Sequence, residues 1–115
     1  MTNDTIFGKI IRGDVPADKV YEDDVYCAFR DINPAAPVHV LIVPKKPIPM
    51  LTDATKEDAA LIGGLFLLAN RIAADLGIAE DGFRCVLNCG TGGGQLVYHL
   101  HVHLLGGRDL GWPPG

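Results

Sequence analysis

Apolar positions along this chain repeat with two periods, and the change from one to the other marks out its elements. Ile6, Phe7, Ile10 and Ile11 share one face of a helix predicted over residues 5–12, with Asp4 as its N-cap and Gly13 just past its end. Strand-like pieces follow at residues 19–21 and 25–30, split by the acidic turn Glu22-Asp23-Asp24. Residues 31–37 (DINPAAP) form a turn-rich connection. Residues 38–43 read as a buried strand, rich in β-branched side chains and stopped by Pro44. Pro47 and Pro49 keep the next stretch irregular. The longest helix is predicted over residues 56–76, opened by a capping box of Thr55 and Asp58 and stopped by Gly77. Gly63 and Gly64 inside it lower its propensity, which points to close packing against a sheet. Residues 83–88 read as a strand, CGTGGGQ as a loop, and residues 97–105 as the most regular strand. Strands joined both by tight turns and by one long helix imply an α+β domain with a mainly antiparallel sheet.

Composition narrows the classes without choosing among them. A chain of 115 residues with no linker reads as one domain over residues 1–115. Its 48% hydrophobic and 21% charged residues argue against disorder. The net charge of −4, with no basic stripe, excludes general nucleic-acid binding but leaves a single nucleotide as a ligand. The apolar run over residues 59–69 is far short of the ~20 residues that span a bilayer, and the N-terminus has no signal-peptide pattern. No membrane partner is expected. Cys27, Cys85 and Cys89 are odd in number and irregularly spaced, so a reducing cytoplasm is the simpler setting. Cys85 and Cys89 read as buried small hydrophobes.

The segment Tyr98-His99-Leu100-His101-Val102-His103-Leu104-Leu105 alternates without a break. In a strand, residues two apart share a face, so His99, His101 and His103 line one side and Leu100, Val102 and Leu104 press on the core. Three readings compete: a solvated histidine face, a metal site, and acid–base or nucleophilic chemistry. Three imidazoles along one strand span roughly 13 Å at about 3.3 Å per residue, too far to share one ion. A metal would need two of them plus outside ligands, and no nearby Cys-x-x-Cys or acidic partner offers itself. The third reading fits best. An imidazole with a pKa near about 6.5 can be a neutral nucleophile beside a proton-carrying neighbour, and phosphoryl transfer uses both roles. His101, flanked on both sides, is the natural attacker.

Two further features support a phosphate site. Gly90-Thr91-Gly92-Gly93-Gly94-Gln95 lies just upstream, where glycines let backbone N–H groups approach anionic oxygens, although the loop does not match a P-loop. Asn88 could donate to the same oxygens. His39, alone in an apolar strand, reads both as a satisfied core histidine and as a partner that sets the tautomer of a triad histidine.

His99-Leu100-His101-Val102-His103-Leu104-Leu105 matches the His-φ-His-φ-His-φ-φ signature of the histidine triad (HIT) superfamily. The chain further resembles the HINT branch, the histidine triad nucleotide-binding proteins. The resemblance runs through Thr5-Ile6-Phe7-Gly8-Lys9-Ile10-Ile11, Ala28-Phe29-Arg30-Asp31-Ile32, Ala36-Pro37-Val38-His39, Val43-Pro44-Lys45-Lys46, Gly93-Gly94-Gln95 and Gly106-Gly107-Arg108. The closing Trp112-Pro113-Pro114-Gly115 resembles the C-terminus of the branch's animal members.

The resemblance implies a two-layer HIT fold, with a mainly antiparallel five-stranded sheet, one long and one short helix, and a homodimer with a continuous ten-stranded sheet. The apolar tail with Trp112 fits a buried or cross-subunit role there. The implied activity is metal-free and cofactor-free hydrolysis of purine nucleoside phosphoramidates and acyl-adenylates. His101 would become nucleotidylated, His103 would contact the phosphate, His99 would orient the attacker and His39 would complete the site. Asn88, Gly94, Gln95 and Leu96 would lie on the phosphate side. Asp31 would accept from the ribose hydroxyls, with Ile6, Phe7, Phe29, Ile32 and Leu41 around the base. Leu96 stands where many members carry Ser, and leucine cannot hydrogen-bond the phosphoramidate nitrogen. Asn33 stands where Ser is common. Thr5 and Gly8 occupy the positions of a Cys-x-x-Cys zinc pair found in some relatives, so no structural zinc is expected. The alternatives are a nucleotide-binding scaffold with weak hydrolysis and a dinucleoside polyphosphate hydrolase of the neighbouring Fhit-like branch.

Overall fold

The computed structural model describes residues 5–115. Helix α1 spans Ile6–Arg12, and its N-cap is Thr5, whose Oγ1 accepts from the Gly8 N–H at 3.1 Å. Asp4, expected in that role, lies outside the described residues. Gly13 closes the helix as predicted, its N–H bonding back to carbonyls of the last turn. Strands β1 (Lys19–Glu22), β2 (Tyr26–Arg30), β3 (Val38–Pro44), β4 (Phe83–Val86) and β5 (Val102–Gly106) form one antiparallel sheet. Their spatial order is β1-β2-β3-β5-β4, so β3 is central and β1 and β4 are edges. Helix α2 spans Ala59–Asp75, entered through a 3₁₀ turn at Lys56–Asp58. The predicted capping box is there: the Thr55 N–H donates to Asp58 Oδ2 at 3.0 Å.

Alternation along the strands sorts the side chains onto two faces. Ala28, Val40, Ile42, Leu100, Val102 and Leu104 pack against Leu65, Leu68, Ala69 and Ile72 of α2. Cys27, Phe29, Leu41 and Val43 point the other way and meet Phe7 and Ile10 of α1. Gly64 explains one of the two helix glycines. A Cβ there would collide with the Tyr26 hydroxyl, which donates to the Leu61 carbonyl at 2.7 Å. Gly63 has open space around it, and nothing in the packing demands it. Cys27 is fully buried, while Cys85 and Cys89 are only half-buried; all three are free thiols. Among the described residues no helix is long and apolar enough to cross a membrane.

The last two strands are shorter than the alternation predicts. β4 stops at Val86, and β5 starts at Val102 rather than at residue 97. The reason lies in the neighbouring strand. β3 ends at Pro44, and Pro47 and Pro49 have no N–H with which to continue a ladder. The 98–101 segment bonds to that irregular stretch instead, with the Leu100 N–H on the Ile48 carbonyl at 2.7 Å. Only His103 of the predicted three-histidine ladder therefore sits in a strand.

Candidate active site

Four histidines nevertheless converge, each held by a different donor or acceptor. His103 faces Leu41 across the β5–β3 pair, and His39 lies two residues along β3 on the same face. Their rings are 2.9 Å apart, His39 Nε2 to His103 Nδ1. The Ala35 N–H points at His39 Nδ1 from 2.9 Å. A peptide N–H can only donate, so His39 Nδ1 is bare and its proton is on Nε2. That proton is donated to His103 Nδ1, which leaves the His103 proton on Nε2. His101 Nδ1 lies 2.7 Å from the His99 carbonyl, which can only accept, so His101 carries its proton on Nδ1 and keeps Nε2 bare. The His99 ring is anchored in turn, its Nε2 donating to the Pro44 carbonyl at 2.7 Å.

Burial matches this assignment. His99 is 0% exposed and His101 5%, so the solvated-face reading fails. Desolvation lowers the proton affinity of all four rings below the ordinary histidine value of about 6.5. For His103, burial together with the neighbouring rings pushes it down to about 4. His101 is lowered by burial, against the opposing pull of the His99 carbonyl and the Asp31 charge. Phe7 meets the His101 ring edge-on, 4.9 Å between centroids, and His103 lies at the same distance on another side.

The His101 and His103 rings border a cleft of about 360 Å³, within the usual range of small-molecule sites. Ile6, Phe7, Phe29, Asp31, Ile32, Leu41, Gly94, Leu96, His101 and His103, the residues that the family resemblance implies, all line it. Ile10, Val15, Pro16, Ala17, Arg30, Asn33 and Val97 line it too and were not foreseen. The apolar ones continue the α1 face and the segment after it, a signal that was present in the pattern but pointed only to core. Asp31 is partly engaged: Oδ1 accepts from the Asn33 N–H at 2.9 Å, and Oδ2 lies 3.5 Å from His39 Nε2.

Four expected site residues do not line the cleft. His39 and His99 stand behind it, supporting His103 and His101. Asn88 sits beside Gly94, its Nδ2 4.0 Å from where a Cβ on that glycine would be. Gln95 is turned away and fully used. Its Oε1 accepts from the Gly90 N–H at 2.9 Å, and its Nε2 donates to the Pro49 and Val97 carbonyls at 2.8 and 3.0 Å. The glycine loop also departs from the open cradle expected of it. The N–H groups of Gly93, Gly94 and Gln95 close a 3₁₀ turn on the carbonyls of Gly90 and Thr91. Gln95 is thus a clamp that shapes the loop.

Asp31, His39 and His103 bring one oxygen and two nitrogens within 4.8 Å of one another. A cation there would need the Nε2 lone pair of His39, and the Ala35 N–H leaves that nitrogen protonated. The donor set suits a proton better than a metal ion.

Comparison with known proteins identifies the family. The HIT-domain family profile matches residues 12–110. The chain is 61% identical, over its full length and that of the relative, to an uncharacterized HIT-like protein of Synechococcus elongatus. It is 51% identical to the purine nucleoside phosphoramidase of Escherichia coli K12, covering 96% of this chain and 93% of that one. Among solved structures, a HIT family hydrolase from Legionella pneumophila superimposes with a TM-score of 0.95 at 47% identity, covering 97% of this chain and all of that one. The α+β scaffold is that of the HIT-family structures it superimposes on, and this chain belongs to the HIT family.

Proposed function

We propose that the protein is a nucleotide hydrolase, a purine nucleoside phosphoramidase that works through a nucleotidyl-histidine at His101. One observation carries the reading: His101 Nδ1 is tied to the His99 carbonyl, which leaves the Nε2 lone pair as the bare nitrogen of a ring that lines the cleft. Burial keeps that nitrogen unprotonated at neutral pH. Nε2 attacks phosphorus and the P–N bond breaks. Its electron pair goes to the amine, which takes a proton from water at the open mouth. His103 Nε2–H is free to donate to a phosphoryl oxygen. A water molecule then attacks phosphorus, loses its proton to solvent, and returns the electron pair to His101 Nε2.

The rest of the cleft fits a purine nucleotide. Phe7, Phe29, Ile32 and Leu41 offer apolar surface to a base, and Asp31 Oδ2 offers an acceptor to the ribose hydroxyls. Two copies would pair through the exposed edge of β4 and the outer side of α2, where Phe66 and Leu67 face solvent. The free thiols suit a reducing cytoplasm. The test is His101→Ala, assayed with adenosine phosphoramidate and by trapping of labelled nucleotide. Turnover and labelling should both vanish while the fold survives, and undiminished turnover would sink the mechanism.

Leu96 favours a second reading, a nucleotide-binding protein whose hydrolysis is weak. Its side chain is 91% exposed at the mouth and has no atom that could hydrogen-bond a leaving amine. Tight AMP binding with negligible steady-state turnover would decide for it.

A further inference from the structure

We propose that Arg108 is a positioning residue for this site: through the Ala35 backbone it fixes which nitrogens of the His39–His103 pair carry protons. The contacts form an unbroken series. Arg108 Nη2 donates to the Ala35 carbonyl at 2.9 Å, and the Ala35 N–H donates to His39 Nδ1 at 2.9 Å. His39 Nε2–H then donates to His103 Nδ1, also at 2.9 Å. His103 lines the cleft at the far end of the series.

Residue 35 needs such a hold. It lies in the turn-rich connection between β2 and β3, flanked by Pro34 and Pro37. No ladder fixes the orientation of its peptides, yet its N–H decides the tautomer of a buried ring. The Arg108 guanidinium grips the carbonyl on the other side of the same Cα, so residue 35 is held from both ends. Its second nitrogen, Nη1, donates to the Asp109 carbonyl at 3.0 Å, which keeps the guanidinium plane in place. The chain also makes room for the contact. Gly107, at φ +88°, lets the turn after β5 come against Pro37, and a Cβ there would lie 2.9 Å from the proline ring. That close approach delivers residue 108 to the loop.

If the Ala35 N–H swings away, His39 is free to carry its proton on Nδ1. Its Nε2 would then be bare and would face the bare Nδ1 of His103, so His103 would have to move its own proton inward. The Nε2–H directed at the phosphoryl group would be lost. No group in this series changes its charge; a donor becomes an acceptor.

The kinetic arm of the test rests on the phosphoramidase reading, but the spectroscopic arm does not. In Arg108→Ala, kcat should fall about three- to tenfold with KM little changed, the loss expected for one hydrogen bond acting on the reacting state. ¹⁵N NMR of the imidazoles at neutral pH should show His39 moving from a pure Nε2–H form to a mixture containing Nδ1–H. The Ala35 carbonyl takes a single hydrogen bond, so Arg108→Lys should restore most of kcat and the original tautomer. Melting temperatures of both variants establish that they are folded. A pure Nε2–H form of His39 in Arg108→Ala overturns the proposal, whether or not kcat falls. Failure of the wild-type protein to hydrolyse phosphoramidates would defeat the functional reading alone, because the tautomer shift would still be measurable.

Discussion

The two faces of the sheet are built from the same kinds of strand residues but are covered very differently. On one face the 17-residue helix α2 lays Leu65, Leu68, Ala69 and Ile72 over Val40, Ile42, Val102 and Leu104, and the layer is closed. On the other, the seven-residue helix α1 brings only Phe7 and Ile10 onto Phe29, Leu41 and Val43. A short helix cannot roof a five-stranded sheet, and the uncovered part is the cleft. One face holds the fold together, while the other trades packing for a binding site.

That division is open to breaking, and the largest expected effect is on the closed face. Leu65→Ala should cost about 2–5 kcal/mol of stability, measured by denaturant unfolding, while KM at low temperature stays near wild type. A variant that lost substrate affinity before stability would contradict the division. On the open face, Phe29→Ala should raise KM several-fold, with a smaller loss in melting temperature than Leu65→Ala shows. Its ring stacks edge-on against Phe7 at 5.4 Å and borders the cleft.

Leu96→Ser sharpens the picture at the mouth. On the phosphoramidase reading, a hydroxyl able to bond the leaving amine should raise kcat about three- to tenfold, with no change in melting temperature because the leucine is exposed. Stopped-flow or steady-state assays of phosphoramidate hydrolysis would read this out.

The smallest effect is acid sensitivity, and it should come from the open face alone. All four histidines have folded-state pKa values below about 6.5, so the unfolded chain takes up protons first as pH falls. Stability is therefore full above about 6.5 and declines down to about 4, where His103 protonates in the folded state. The buried cluster under α2 contains no group that titrates in this window. Glu22, Asp23 and Asp58 are held below their ordinary values, so their contribution is lost only at still lower pH. Unfolding curves of His103→Asn should show a flatter profile between these limits, and an unchanged profile would move the acid sensitivity elsewhere.

Local pattern exposed much of this molecule. The caps at Gly13 and Thr55, the order of the elements, and the partition of His101 and His103 from Val102 and Leu104 all follow from residues close in sequence. The two displaced strand boundaries, the end of β4 and the start of β5, share one cause. Residues 98–101 leave the strand because the prolines near residue 48 cannot pair with them, a condition set about fifty positions away. The Gln95 clamp on Pro49 and the Arg108 grip on Ala35 were invisible for the same reason. Alternation reveals which side chains face together, but not which distant carbonyl each will meet.

The oxygen that orients His101 belongs to the main chain of residue 99. No codon change at that position can delete it, and a new side chain there can only shift it. In genetic terms the anchor of the proposed nucleophile has no null allele. Variants at residue 99 should therefore form a graded series, ordered by how well each side chain fills the pocket beside Pro44, whereas variants at residue 101 should divide into active and inactive.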